Sequence, residues 1–258
     1  MEPKSTDFVQ SLERGLSVIR AFDGDNPRLT LSEVAQRTDL TRAAARRFLL
    51  TLQRLGYVRS DGKHFELRPR ILELGYAYLS SLGLPEVAMP HLEQVVAEVQ
   101  LSSSVSVLDD QDIIYVARVM TRRIMSVNIN VGTRLPAVST SMGRVLLAGL
   151  EEDELNEYLD RAALVAHTST TVVDREALRA VIAEAREAGW AMVDQELELG
   201  LRAIAVPIRD AEGKTIAAMN LSAPAVAVTA DEVVERYLEP LQRHARAIEE
   251  DFRVVDRS

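Results

Sequence analysis

Arginine residues cluster in a short stretch near the start of this 258-residue chain. Arg42, Arg46 and Arg47 share one segment with small alanines, and Arg59 and Lys63 follow closely. An arginine can bind guanine O6 and N7 through two hydrogen bonds, and small neighbours allow close approach to the bases. We therefore predict a DNA-binding surface, in which Arg42 and Arg46 read bases while Arg47, Arg59 and Lys63 hold phosphates.

Two short helices are predicted to position these side chains. Thr30 and Glu33 have capping-box spacing, which begins a helix that ends near Thr38. Thr41 is the predicted N-cap of a second helix, which Gly56 ends. Two helices separated by about three residues are typical of a helix-turn-helix, whose second helix enters the major groove by its N-terminal end.

A hairpin is predicted directly after the second helix, because Asp61-Gly62 separates two β-rich runs, 57–60 and 64–67. In that position a hairpin is a wing. With an amphipathic helix over 8–22, residues 7–68 are predicted to form a winged helix-turn-helix domain. Its predicted DNA contacts are Thr41, Arg42, Ala43, Arg46, Arg47, Arg59 and Lys63.

The charge distribution agrees with a separate N-terminal DNA-binding domain. Residues 1–70 contain 13 Lys and Arg against 9 Asp and Glu, whereas the whole chain carries a net charge of -9. A basic N-terminal domain can meet phosphates while the acidic remainder stays away from them. The asymmetry therefore indicates two separate tasks.

Residues 69–84 are predicted to form a linker helix that starts at Pro69. Its apolar face is too broad for a solvated spacer, so we expect the stripe Ile71, Leu74, Tyr78 and Leu82 to be buried between subunits. This predicts a homodimer, or a tetramer of two dimers, that reads a palindromic operator in double-stranded DNA.

Residues 85–258 are predicted to form an α+β domain with a largely antiparallel sheet, because β-rich runs stand at both ends and helical patterns lie between them. Strands are expected over 103–108, 113–120, 124–131, 191–195, 203–209 and 215–223. Helices are expected over 87–99, 143–150, 153–159, 175–188 and 230–252.

Signs of catalysis are missing from the sequence. It has no GxSxG, P-loop or HExxH motif, no cysteine, and four histidines without ligand spacing. We therefore expect no catalytic residue, no metal and no cofactor. With no signal peptide and no membrane-spanning run, the expected location is the cytoplasm. Two alternatives stay open: a metabolite-binding enzyme of the α+β class, and an architectural DNA-binding protein without a ligand.

Several segments resemble the IclR family of regulators. They are Phe8–Leu16, Leu55–Val58, Leu67–Gly75, Gly132–Pro136, Ser141–Ala148 and Gly200–Ala205. Within that family, Thr41–Leu49 and Val127–Arg134 are most similar to regulators of protocatechuate and β-ketoadipate genes. The resemblance implies control of aromatic catabolism, with an aromatic acid or a dicarboxylate as effector. The exact effector, the operator and the sign of regulation stay undetermined.

The resemblance also implies a GAF-like effector domain, with a pocket over the sheet. The implied lining is Ser141, Met142, Gly143, Asp194, Ala203, Asn220 and Ser222. Two positions depart from the family pattern: Ala203 stands where Cys or Ser is common, and Val193 where an acidic residue is common. From the residues alone, a free helix N-terminus near Gly143 suits a carboxylate. Arg134 and Arg144 are the expected sources of positive charge.

Overall fold

The computed structural model describes residues 8–75, 83–121 and 129–255, with side chains up to residue 253. The chain divides into two compact units, Met1–Ser80 and Ser81–Ser258, which are described separately. None of the helices in the described segments is long and apolar enough to cross a membrane.

The first unit contains the predicted helix-turn-helix and wing. Its elements are α1 (Gln10–Arg20), β1 (Arg28–Thr30), α2 (Leu31–Arg37), α3 (Arg42–Leu55), β2 (Val58–Ser60) and β3 (His64–Leu67). The strand β1 was not predicted from the sequence. It pairs antiparallel with β3, so the hairpin becomes a three-stranded sheet in the order β1-β3-β2.

Local capping fixes where the two central helices begin and end. The amide of Glu33 donates to Thr30 Oγ1 (3.4 Å), and the amide of Thr30 donates to Glu33 Oε2 (2.7 Å), which completes the capping box. The Thr41 hydroxyl accepts from the amide of Ala44 (3.2 Å) at the start of α3. Gly56 ends α3 at φ +84°, a conformation that side chains with a Cβ rarely adopt.

The linker differs from the predicted α-helix at its start. Pro69–Leu72 forms a 3₁₀ helix, and residues 73–75 continue as an α-helical turn. Arg70 donates to the carbonyl of Leu55 (3.1 Å) and lies over the Tyr57 ring, so it fixes the linker to the C-terminus of α3. In the predicted apolar stripe, Leu74 is 53% exposed in the single chain, whereas positions 78 and 82 lie outside the described residues.

The second unit is a six-stranded antiparallel sheet with helices on both faces. Its helices are α4 (Leu84–Val99), α5 (Ser141–Ala148), α6 (Glu152–Arg161), α7 (Arg175–Ala188) and α8 (Ala230–Val255). Its strands are β4 (Ser102–Asp109), β5 (Asp112–Val119), β6 (Arg134–Pro136), β7 (Ala191–Asp194), β8 (Leu201–Arg209) and β9 (Thr215–Pro224), in the order β6-β5-β4-β9-β8-β7. The predicted α+β class is confirmed.

The two faces of the sheet have different coverings. Helices α4 and α8 pack together against one face. On the other face α5 lies across the sheet and α7 packs on α5. The core on this second face contains the buried side chains of Ile113, Met142, Leu147, Leu178 and Ile182. Helix α5 therefore positions its N-terminal end over the sheet, beside the strand residues described below.

The strand predicted over 124–131 is wrong where it can be checked. Positions 124–128 lie outside the described residues, and 129–131 form no strand. Instead, Gly132 adopts φ +87° in a turn, and its amide donates to the carbonyl of Tyr115 (2.7 Å). After this turn, Arg134–Pro136 pairs with β5 as β6. The β-rich composition of this run predicted the strand, but residues 131–132 form a turn.

Candidate functional site

The N-terminal half of α3 and the wing form one concave surface in the first unit. Arg42, Arg46 and Lys63 are exposed on it, and Ser60 and Gly62 of the wing also line it. Ala43 and Arg47 are also exposed in the first turns of α3. Six of the seven predicted DNA contacts thus lie in α3, at its N-cap or at the tip of the wing, although Thr41 uses its hydroxyl as the N-cap.

Ion pairing separates the cations of this surface into two groups. Among the described residues, Arg42, Arg46, Arg47 and Lys63 have no carboxylate partner. The seventh predicted contact, Arg59, pairs with Glu66 across the β2–β3 register, with an Nε to Oε1 distance of 2.7 Å. A phosphate would have to compete with Glu66 for Arg59, whereas the unpaired cations are available to an anion.

Asp61 shapes the tip of the wing. Its Oδ1 accepts the amides of Lys63 (2.9 Å) and His64 (2.7 Å), and its Oδ2 accepts from Arg28 (2.6 Å). The amide hydrogen bonds lower the pKa of the Asp61 carboxyl below its ordinary value. The aspartate remains ionised at neutral pH, and it holds Lys63 at the exposed end of the turn.

A cleft of about 300 Å³ lies over the sheet of the second unit, beside the N-terminus of α5. Its floor follows from the strand register. Val193 on β7 pairs with Ala203 on β8, which pairs with Ser222 on β9. Asn220 lies two residues before Ser222 and therefore on the same face. All four residues line the cleft.

A β-bulge adds two further side chains to the cleft. Ala117 pairs with Val105 and Tyr115 pairs with Ser106, so Val116 is the extra residue on β5. In a regular strand, residues three apart point to opposite faces. Because of the bulge, Tyr115 and Arg118 both line the cleft.

Arg118 is a half-buried cation in this setting. Its Nη1 donates to Ser104 Oγ (3.1 Å), its guanidinium lies 5.9 Å from the centre of the Tyr115 ring, and its buried Nε has no partner among the described residues. Burial lowers the pKa of Arg118 and raises the pKa of Tyr115 to about 12. Both groups are therefore protonated at neutral pH.

The N-terminal end of α5 supplies the opposite side of the cleft. Ser139, Thr140, Ser141 and Met142 line it there. Thr140 is the N-cap, because its hydroxyl accepts from the amide of Gly143 (3.1 Å), while Ser106 Oγ donates to Met142 Sδ (3.2 Å). Ser141 is 2% exposed, and its hydroxyl has no partner among the described residues.

Five residues of the predicted effector site line the cleft, and three do not. The five are Ser141, Met142, Ala203, Asn220 and Ser222. Asp194 instead pairs with Arg202, with an Oδ2 to Nη2 distance of 2.8 Å. Arg134 lies on β6, opposite Ile114 of β5, and its exposed side chain pairs with Asp109 and Asp112 outside the cleft lining.

Gly143 has a packing role instead of the predicted contact with the effector. Its amide is already bonded to Thr140, and a Cβ at this position would lie 2.1 Å from the carbonyl oxygen of Ala137. Glycine therefore allows α5 to pack on the turn 137–139. The helix end is still available to a ligand, but through Ser141 and Met142.

The sequence did not predict most of the apolar walls, or Arg118, the one cation among the described residues of the lining. The missed lining residues are Tyr115, Arg118, Ile129, Leu135, Ser139, Thr140, Val193, Leu197, Glu198 and Leu201. No periodic signal identifies Arg118, because the bulge changes the face to which it points. The other expected cation, Arg144, is 4% exposed and pairs with Glu196 outside the cleft lining, with an Nη2 to Oε2 distance of 2.6 Å.

The segment after β7 is held in place by buried polar contacts. Glu196 accepts from Arg144 and from the amide of Val172 (3.1 Å). The Thr171 hydroxyl donates to the carbonyl of Glu196 (2.6 Å). These contacts fix the chain immediately before Leu197 and Glu198, which line the cleft.

The described residues contain no group of three or more His, Asp or Glu placed to hold a metal ion. The two units instead combine a cationic helix-and-wing surface with a mostly apolar cleft that contains a few fixed polar groups. The first matches the geometry by which a winged helix-turn-helix enters DNA, and the second matches a small-molecule site. Together they define the class of ligand-responsive DNA-binding regulators.

Comparison with known proteins identifies the family. Residues 76–250 match the model described as the C-terminal domain of the bacterial transcriptional regulator IclR, and residues 11–62 match the IclR helix-turn-helix domain. The chain is 48% identical over 233 residues to the Pca regulon regulatory protein of Pseudomonas putida, covering 90% of this chain and 80% of that protein. The protein belongs to the IclR family.

Solved structures agree with this assignment. A protein of Rhodococcus sp. RHA1 is 55% identical, with a TM-score of 0.87 over 96% of this chain and 100% of that chain. An IclR homologue of Microbacterium hydrocarbonoxydans, solved in complex with 4-hydroxybenzoate, is 30% identical, with a TM-score of 0.83 over 95% of this chain and 99% of that chain.

Proposed function

We propose that this protein controls genes of aromatic-acid breakdown by binding operator DNA through α3 and the wing, and an acidic effector in the cleft over the sheet. The effector is an aromatic acid or a dicarboxylate from the same pathways. The cleft carries the proposal: its described lining has apolar walls, the half-buried guanidinium of Arg118 and a helix N-terminus. Effector sites commonly combine an apolar lining with a few fixed polar groups.

The relatives support the aromatic assignment. The Pseudomonas putida relative is named for the Pca regulon, and the Microbacterium homologue was crystallised with 4-hydroxybenzoate. The cleft also favours a ligand-responsive regulator over an architectural DNA-binding protein, which has no need of such a site. We infer that the chain acts in the cytoplasm, where its operator DNA is, and by binding without catalysis.

In the proposed DNA complex, Arg42 and Arg46 contact base edges, while Arg47 and Lys63 contact phosphates. Ala43 allows close approach of the helix end, where Thr41 is the N-cap, and Arg59 contacts phosphate only when it leaves Glu66. A homodimer, or a tetramer of two dimers, would place two such helices on half-sites about one helical turn apart. Sedimentation of the full chain at micromolar concentration tests this assembly, and a monomer that binds a full operator tightly would contradict it.

Thermal shift and calorimetric titration of the full chain test the effector proposal. The ligands are protocatechuate, 4-hydroxybenzoate and β-ketoadipate. At least one should bind and raise the melting temperature by mass action. Ala203→Leu, which fills the cleft from its floor, should abolish the shift, whereas Ala211→Leu in the exposed β8–β9 turn should preserve it. The proposal fails if none of the three acids binds the folded protein at millimolar concentration.

A further inference from the structure

The chain between β7 and β8 borders both the cleft and solvent. We call residues 195–200 the flap, and they belong to no helix or strand. Leu197 and Glu198 of the flap line the cleft, whereas the next residue, Leu199, is 68% exposed. The flap therefore has the candidate effector site on one side and water on the other.

The two ends of the flap are fixed to each other. The amide of Gln195 donates to the carbonyl of Leu201 (2.8 Å), and the amide of Gly200 donates to Gln195 Oε1 (3.0 Å). Gln195 and Gly200 both have a left-handed backbone, with φ +60° and +82°. When a loop moves, a few residues at its ends absorb the change in backbone angles. A closed base of this kind lets the middle of the flap move while β7 and β8 stay paired.

A buried carboxylate holds the middle of the flap in place. Glu196 is 7% exposed, and it accepts from Arg144 Nη2 (2.6 Å) and from the amide of Val172 (3.1 Å). Arg144 lies shortly after Met142 on α5, the helix whose first turn lines another side of the cleft. The Arg144–Glu196 pair therefore joins two walls of the cleft from outside its lining.

The chemistry of this pair suits a contact that closes firmly and can open. Hydrogen bonds between charged groups are stronger than neutral ones, and a buried charge that loses its partner is costly. Among the described contacts, however, a single nitrogen of Arg144 makes the bond to Glu196, and Arg144 Nε is buried without a described partner. One hydrogen bond, in place of the two of a bidentate pair, has to break before the flap leaves α5.

We propose that the Arg144–Glu196 pair is a latch, and that the effector enters and leaves the cleft when this pair opens and the flap turns away from α5. This role rests on the proposed function and adds a control on the same site, the rate at which effector is exchanged. Arg144 and Glu196 are positioning residues, because both lie outside the cleft lining and act through the flap. Loop opening of this kind commonly limits the rate of ligand release.

Hydrogen exchange of the ligand-free full chain tests the latch without any effector. The amide of Val172 reports on it directly, because its described acceptor is the Glu196 carboxylate. Glu196→Gln should raise the exchange rates of this amide and of the flap about tenfold or more, while β8 and β9 keep the wild-type rates. Glu152→Gln, the same change at an exposed glutamate that pairs with Arg179 and Arg186, should alter none of these rates.

Glu196→Asp is the second variant, for the case that Glu196→Gln does not fold. It keeps the buried charge but draws the carboxylate back from Arg144 and Val172, so it should raise the same exchange rates. Unchanged exchange at Val172 and in the flap in a folded variant would overturn the latch.

Binding kinetics of protocatechuate and 4-hydroxybenzoate on the immobilised full chain test the gate. The latch is closed both with and without effector, so weakening it should raise the association and dissociation rates together, each about tenfold or more, and leave the dissociation constant nearly unchanged. Faster dissociation with unchanged association would make Glu196 part of the binding wall and overturn the latch. Unchanged rates despite faster exchange in the flap would mean that the effector uses another route, which also overturns it. If neither acid binds the wild type, the proposed function fails and the gate with it, whatever the exchange of the flap shows.

Discussion

The arginines of the two candidate sites lie in opposite surroundings. In the first unit, Arg42 and Arg46 lie exposed on a helix without carboxylate partners. In the second, Arg144 is buried against Glu196, and Arg118 is half-buried beside an apolar cleft. Exposed cations attract a polyanion through long-range fields that salt screens, whereas a buried cation needs one partner at hydrogen-bond distance. In the proposed function, Arg42 and Arg46 therefore combine attraction to DNA with contacts to its bases, whereas Arg118 makes one contact with the effector.

The largest expected effect comes from breaking the buried ion pair. Glu196→Ala would leave the Arg144 guanidinium buried without a partner, which costs about 3–5 kcal/mol of stability. The same change at the exposed partner of Arg134, Asp109→Ala, should cost about 0–1 kcal/mol. Urea unfolding followed by the fluorescence of Trp190, the one tryptophan of the chain, reports on the second unit. Equal costs for the two variants would show that burial does not separate the two classes of arginine.

In the first unit, the substitution that tests the proposed DNA contacts is Arg42→Ala. Loss of a base contact should weaken operator binding by about 1–3 kcal/mol and relax the preference at one operator position. Arg54→Ala, at the exposed C-terminal end of the same helix, removes an equal charge and serves as the control. Binding to a set of operators with single base changes measures both effects. If Arg54→Ala relaxed the same position, α3 would enter DNA in another orientation.

A smaller effect is expected at the N-cap of the recognition helix. Thr41→Ala removes the hydroxyl that accepts the Ala44 amide and should destabilise the first unit by about 1 kcal/mol. Thr51→Ala, on the exposed side of the same helix, should stay within about 0.5 kcal/mol. Differential scanning calorimetry of the full chain compares the two variants. If the first unit melted at the same temperature in both variants, the capping role of Thr41 would be wrong.

The smallest expected effect distinguishes the two cations of the wing. Lys63→Ala should weaken binding to all sequences alike and reduce the slope of log affinity against log salt by about one unit. Arg59→Ala should reduce the slope less, because Arg59 is already paired with Glu66. Titrations between about 50 and 200 mM salt measure both slopes. A larger reduction for Arg59→Ala would show that the Arg59–Glu66 pair opens on DNA.

The helix and wing that carry the proposed DNA contacts could be predicted because they are built from one contiguous stretch of the chain. Its capping residues, the glycine after α3 and the turn at Asp61-Gly62 are all local signals. The strand β1 was not predicted, because three residues are too few to show alternation and because its pairing with β3 is a tertiary contact.

The cleft was only partly predictable, because it is assembled from strands distant in sequence. Resemblance located Ser141, Asn220 and Ser222, which line it, but also Gly143, which packs against the backbone of Ala137. Arg118 was missed because the extra residue in β5 breaks the two-residue period of the strand. A prediction from the alternation of side chains along a strand fails at such a bulge, and bulges are frequent beside functional sites.

The central claim, that the cleft and the DNA-binding surface belong to one ligand-responsive regulator, is tested most directly by measuring operator affinity with and without protocatechuate. For the wild type, saturating ligand should change the operator dissociation constant by about 5–150-fold, the usual range of an allosteric coupling. In Arg118→Gln the same ligand concentration should produce little change, while affinity without ligand stays at the wild-type value. An operator dissociation constant that does not respond to bound ligand in the wild type would contradict the account.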